Sequence, residues 1–168
     1  LNNVHHGNHY MLSVKWKLYL INTWEQILTV STIKDSLKYR DPDTSYNNSD
    51  IITGMDTIDW QHNLYFSERY ILTAGAEYRD EKGENKGVFD KVVDNKALYL
   101  NNKLKFLNDD LIINAGLRYD DHETFGSETT YRIGGIYNIK PAAIKIKGSY
   151  GTGFWAPTLN ELFYQDSW

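Results

Sequence analysis

Apolar and polar residues change places at every second position along most of this chain, and a period of two is what a pleated strand with unlike faces imposes. Tyr10, Leu12, Val14, Trp16, Leu18 and Leu20 interleave with Ser13, Lys15 and Lys17. Tyr70, Leu72, Ala74, Ala76 and Tyr78 oppose Thr73, Gly75, Glu77 and Arg79. Leu98, Leu100, Leu104 and Phe106 oppose Asn101, Lys103 and Lys105, and Leu111, Ile113, Ala115, Leu117 and Tyr119 oppose Asn114, Gly116, Arg118 and Asp120. Tyr131, Ile133, Gly135 and Tyr137 share one side of a further segment, and Ile144, Ile146, Gly148 and Tyr150 oppose Lys145, Lys147 and Ser149. Two Thr- and Ile-rich stretches, 25–38 and 50–65, alternate less cleanly. No stretch has the 3.6-residue period of a helix, so the spacing predicts an all-β chain of about eight strands.

The connections sort by length. Short polar turns are expected at Asn22-Thr23, Ser67-Glu68-Arg69, Asn108-Asp109-Asp110 and Lys140-Pro141-Ala142, where Pro141 suits a turn because it lacks an N–H. Long connections are expected at Arg40–Ser49, Asp80–Asp94 and Asp121–Glu128. Short and long ends alternate strictly, as they do in an antiparallel up-and-down transmembrane barrel. The expected strands, about 10 to 14 residues, exceed the usual length in a soluble sandwich, and Glu77, Arg79, Lys103, Lys105, Arg118 and Asp120 put charge on the second face, which suits a wet lumen. Leu72, Ala74, Ala76, Leu111, Ile113, Ala115 and Leu117 are expected to form one outward apolar band.

Composition agrees where it bears on this. Mean hydropathy is −0.56, which does not argue against a membrane barrel, because every second residue faces a polar interior. The 13 Tyr and 5 Trp suit positions with one apolar and one wet end. No apolar run reaches the length of a transmembrane helix. With no Cys there is neither a disulfide framework nor a thiolate metal site. A net charge of −4 with scattered basic residues that form no patch disfavours a nucleic-acid partner. No basic n-region with an apolar h-region opens the chain, so export would need residues ahead of Leu1.

A repeat runs through the pattern. Ile71-Leu72-Thr73-Ala74-Gly75-Ala76-Glu77-Tyr78-Arg79-Asp80 matches Ile112-Ile113-Asn114-Ala115-Gly116-Leu117-Arg118-Tyr119-Asp120-Asp121, 41 residues on (112 − 71). The unit is one hairpin, and each copy's apolar face ends in a Tyr, where an interfacial aromatic girdle falls.

The stretch Tyr150-Gly151-Thr152-Gly153-Phe154-Trp155-Ala156-Pro157-Thr158-Leu159-Asn160-Glu161-Leu162 resembles the signature of TonB-dependent outer-membrane receptors, of the cobalamin and siderophore branch. The matching positions are Tyr150, Gly151, Phe154, Ala156, Pro157, Leu159 and Leu162. Ala115–Asp121 followed by Phe125-Gly126 resembles the strand and loop ahead of that signature. The resemblance implies energy-coupled uptake of a metal chelate, cobalamin or a ferric siderophore, with no enzymatic step and no cofactor. It implies as partners the bilayer and lipopolysaccharide of the outer membrane, the chelate, an N-terminal plug domain and, through the plug's segment, the inner-membrane TonB protein. Residues 1–168 then read as one partial barrel domain, an open slice of a large barrel, with plug and C-terminal strands absent. At Trp155 the family carries Lys or Arg, which reads as drift on an aromatic-rich rim or as loss of a polar contact. The alternative is a complete small eight-stranded outer-membrane barrel with a structural or adhesive role.

Other chemistry is weakly marked. His5, His6 and His9 are expected in a solvated turn before the first strand, and His62 and His122 as plain polar positions. Asp41, Asp43 and Asp50 are the candidates for Ca²⁺, in a loop that lacks the EF-hand Gly and Glu and reads first as a solvated Asx turn. Glu81, Glu84, Asp90 and Asp94 read as a second acidic loop, balanced by Lys82, Lys86 and Lys91. Gly151–Ala156 fits a dinucleotide pattern formally, without the surrounding βαβ unit.

Overall fold

The computed structural model describes residues 4–43, 48–154, 157–159 and 162. They form a single eight-stranded sheet in sequence order: β1 (Val4–Ile21), β2 (Trp24–Arg40), β3 (Ser49–Ser67), β4 (Tyr70–Asn85), β5 (Phe89–Phe106), β6 (Leu111–His122), β7 (Gly126–Ile139) and β8 (Ile144–Gly151). Every neighbouring pair is antiparallel, and β1 and β8 do not pair, so the meander is open. The all-β expectation, the strand number and the open slice all hold. The small closed barrel needs β1 on β8 and does not have it.

The short turns fall where the sequence placed them. Leu107, Asn108 and Asp109 take positive φ values of 53°, 54° and 69° in the β5–β6 turn; Asn and Asp tolerate this region because their short side chains bond locally. Lys140–Ala142 form a single 3-10 turn with Pro141 inside it. It is the only helical element among the described residues up to β8.

The other end needs correction. Asp80–Asp94 is not a long loop: β4 continues to Asn85, β5 starts at Phe89, and Asp80 pairs with Asp94 in unbroken register. Asp121–Glu128 likewise closes to a tight turn between His122 and Gly126. The strands therefore reach 19 residues, beyond the expected 10 to 14. Glu81, Glu84, Asp90 and Asp94 sit on strands, and so do His5, His6 and His9. Of the long connections only that after Arg40 stays outside the strands.

Register sorts the side chains into two continuous faces. Val14, Val30, Ile58 and Tyr78 lie in one cross-strand row, and Trp16, Leu28, Trp60, Ala76, Leu98 and Tyr119 in the next. Leu72, Ala74, Ala76, Leu111, Ile113, Ala115 and Leu117 share this apolar face, as expected. All eight buried residues among those described, Glu25, Asn63, Gly83, Asn85, Val93, Asn95, Ala97 and His122, lie on the other face. Phe154 and Leu159, after β8, cover part of this face, but Glu25 and Asn63 lie away from them, and crowding there marks the inside of a curve. The apolar face is convex and bare, with Trp16, Leu98 and Tyr150 each more than 60% exposed.

Candidate functional site

The convex band has the dimensions of a membrane contact. On β4 it runs from Tyr70 to Tyr78, about 27 Å along the strand, which tilt shortens toward the apolar height of an outer-membrane barrel. Trp24, Tyr70, Phe106 and Tyr137 border it near the short turns, and Tyr78, Tyr119, Tyr131 and Tyr150 border it above. Beyond the upper Tyr residues the same face turns charged, with Lys82 on Asp56 at 2.8 Å and Lys96 on Asp94 at 2.9 Å.

Three polar side chains interrupt the band, and each has a partner. His62 Nδ1 accepts from Trp24 Nε1 at 3.2 Å, Gln26 Oε1 accepts from Trp60 Nε1 at 3.3 Å, and Asn102 Oδ1 accepts from the Tyr70 hydroxyl at 3.0 Å. Lipid offers no substitute bond, so aromatic N–H and O–H groups meet the requirement from within the band. His62 is thus not an isolated polar position: it lies 4.5 Å from the Trp60 ring as well. His122 is buried against Phe125 at 4.9 Å and accepts the Thr124 N–H. Alternation alone held no signal for these pairs, which depend on cross-strand register.

The concave face carries a connected polar wall. Arg118 on β6 donates through Nη2 to Glu77 on β4 at 2.8 Å and through Nε to Asp120 at 2.9 Å. Asn95 donates to Asp120 at 2.9 Å, and Arg79 pairs with Glu81 at 3.0 Å. Glu77 and Arg118 are two strands apart, and the intervening β5 offers only Ala97 there, too short to block the reach. Gly75 works in the same way: a Cβ at Gly75 would lie 2.3 Å from the Tyr99 ring, which crosses this hollow so that its hydroxyl donates to Asp59 on β3 at 2.8 Å. In the second copy of the repeat, Asn101 Oδ1 lies over Gly116 at the same 2.3 Å. The repeated glycines are hollows under a neighbour's side chain. Near the short turns Glu25 gathers Lys17 at 2.6 Å, Asn63 Nδ2 at 2.7 Å and the Tyr65 hydroxyl at 3.1 Å.

All six expected polar residues, Glu77, Arg79, Lys103, Lys105, Arg118 and Asp120, lie on this concave face. The Ca²⁺ candidates are engaged locally: Asp41 Oδ1 accepts the Asp43 N–H at 2.9 Å, which is an Asx turn, and Asp50 pairs with Arg40. Among the described residues no group of three or more His, Cys, Asp or Glu is placed to hold a metal.

The signature residues do two things. Tyr150 and Gly151 end β8, and a Cβ on Gly151 would come within 2.7 Å of the Tyr131 carbonyl, so this backbone approach requires glycine. From there Thr152 binds Tyr131 through its N–H at 2.9 Å and its hydroxyl at 3.1 Å, and the chain turns over the concave side. Phe154 meets Phe125 edge-on at 6.5 Å, and Leu159 lies over Gly83 on β4. Pro157 is exposed, and the Leu162 N–H donates to the Thr158 carbonyl at 3.1 Å. Trp155 and Ala156 lie outside the described residues.

The family model described as TonB dependent receptor-like, beta-barrel matches residues 2–167. The chain belongs to this family. A vitamin B12 transporter BtuB of Photobacterium profundum is 29% identical over 123 residues, covering 72% of this chain and 20% of the relative. That of Vibrio cholerae serotype O1 (strain ATCC 39541 / Classical Ogawa 395 / O395) is 27% identical over 151 residues, covering 86% and 24%. This TonB-dependent receptor barrel chain therefore spans about a fifth to a quarter of the length of the curated relatives it matches. Two solved structures share the fold: the siderophore receptor PirA from Pseudomonas aeruginosa (TM-score 0.55, 16% identity, 91% of this chain and 34% of that one) and the RagAB peptide transporter (TM-score 0.56, 16% identity, 89% and 23%). Receptors and transporters make up this family, not enzymes.

Proposed function

We propose that this chain is part of the barrel wall of an outer-membrane receptor for energy-coupled uptake of a metal chelate, with cobalamin favoured over a ferric siderophore. The observation that carries the reading is the sheet itself: a convex apolar band bordered by aromatic residues, backed by a concave face of paired polar groups, in a chain similar to vitamin B12 transporters. The convex face meets lipid, with lipopolysaccharide against its charged upper rim. The concave face borders the lumen, and its paired Glu77–Arg118–Asp120 wall keeps charge hydrated or partnered beside a plug domain. TonB would act on that plug and not on this wall. No residue here performs covalent chemistry.

Uptake by a cobalamin-auxotrophic strain that lacks its own receptor tests this. The complete receptor containing this chain should restore growth on limiting cyanocobalamin, and a protonophore should abolish the uptake. If the receptor fails there but restores growth of an iron-limited strain, lacking its own siderophore receptors, on a ferric siderophore, the substrate moves to that class. No uptake of either chelate would overturn the reading.

A further inference from the structure

Charge on the concave face is matched around Arg118, around Glu25 and at the β5–β6 turn, where Lys105 pairs with Asp109 at 3.4 Å, but not just above the short turns of β5 to β8. There Lys103, Arg132 and Lys147 line one niche of about 760 Å³ together with Asn101, Asn114 and Ser149. Register builds it: Lys103 faces Asn114, Asn114 faces Gly134, and Gly134 faces Ser149, with Arg132 beside Gly116 two pairs above and Lys147 beside Ile136 two pairs below. Among the described residues no carboxylate lines the niche. None of the three cations has an ion-pair or hydrogen-bond partner among the described residues.

Like charges on one concave wall repel one another, and the repulsion grows as water is displaced. An entering anion reverses the sign of that interaction, and charged donors give the strongest hydrogen bonds to a carboxylate. Gly134 lowers the floor, so that an entering group can approach the main chain there, and the amides of Asn101 and Asn114 flank it. We propose that this niche is an anion site that takes a carboxylate-bearing group. It rests on the reading of the concave side as a lumen. The group is either a soluble carboxylate in transit or an Asp or Glu of another segment of the same receptor.

The test uses the complete receptor in detergent, with citrate as probe. Calorimetry follows citrate binding, and hydrogen exchange follows every segment of the receptor, in the wild type and in a Lys103→Gln, Arg132→Gln, Lys147→Gln variant. Saturable citrate binding that weakens at least tenfold in the variant, and in high salt, supports a soluble carboxylate. Absence of citrate binding, with at least tenfold faster exchange of an acidic segment in the variant, supports a carboxylate of the chain itself. A variant that exchanges Lys for Arg and Arg for Lys should behave as wild type in both arms. A folded glutamine variant that changes neither readout overturns the site. If that variant does not fold, wild-type receptor with no citrate binding at low salt and no salt-dependent exchange overturns it equally. Both readouts are independent of which chelate is carried, so failure here and failure of the uptake assay are separate results.

Discussion

The two faces of this sheet solve opposite problems with the same backbone. On the convex side polar atoms are few, and each polar intruder within the band is bonded to an aromatic N–H or O–H, as at His62, Gln26 and Asn102. On the concave side charges are many, and several are joined across strands, as at Glu77–Arg118 and Asp59–Tyr99. The convex face is specified residue by residue, since lipid tolerates no unpaired polar group. The concave face is specified by networks, and those networks need hollows at glycine. A substitution of a given kind should therefore have different consequences on the two sides.

The largest expected difference is the response to a new charge. Leu100→Arg places a cation in the convex band and should lower stability by about 2 to 4 kcal/mol in the bilayer. Gln61→Arg, on the concave face, should change it by no more than about 0.5 kcal/mol. Urea unfolding of the complete receptor in lipid vesicles reads both, and equal losses would break the assignment of faces. Next is Arg118→Leu, which leaves Glu77 and Asp120 without their shared donor and should cost about 1 to 3 kcal/mol. Because the loss comes from uncompensated carboxylates, Arg118→Lys should recover part of it; no recovery would point to packing instead. Gly75→Val, which displaces the Tyr99 ring, should cost about 1 to 2 kcal/mol by overpacking. Adding Tyr99→Ala should then recover part of that loss, and strict additivity would show that the hollow is not shared. The smallest effect belongs to the exposed pair above the band: Lys82→Gln should leave the unfolding midpoint unchanged, since solvent screens such pairs.

How far the sequence foretold this structure depended on the surroundings of each segment. Between Tyr70 and Tyr78 one face meets an apolar phase and the other a polar one, so alternation marks the strand and its phase correctly. Between Asp80 and Asp94 both faces are wet. There Gly83, Glu84, Asn85, Lys86 and Gly87 read as a loop, yet the ladder continues, because main-chain pairing needs no apolar side chain once the hairpin register is set. The polar wall was legible as a set of residues but not as a network. Glu77 and Arg118 are recognisable as one face of two strands, while their contact depends on Ala97 on the strand between them. The hollow at Gly75 likewise becomes visible only when Tyr99 is placed on the neighbouring strand. The signature stretch was read as a family mark, and its geometry adds reasons for two residues: Gly151 permits a backbone approach, and Leu159 uses the space above Gly83.

The continuous pairing of β4 and β5 has a mechanical consequence. Past Tyr78 the hairpin runs seven more residues to Asn85, about 23 Å of doubly bonded ribbon. A tether of that contour length would sample many orientations and would lose that freedom on every encounter. A ribbon holds one orientation and moves chiefly by bending at its root. That end of the sheet is a stiff palisade, its shape set by spacing and height before anything touches it.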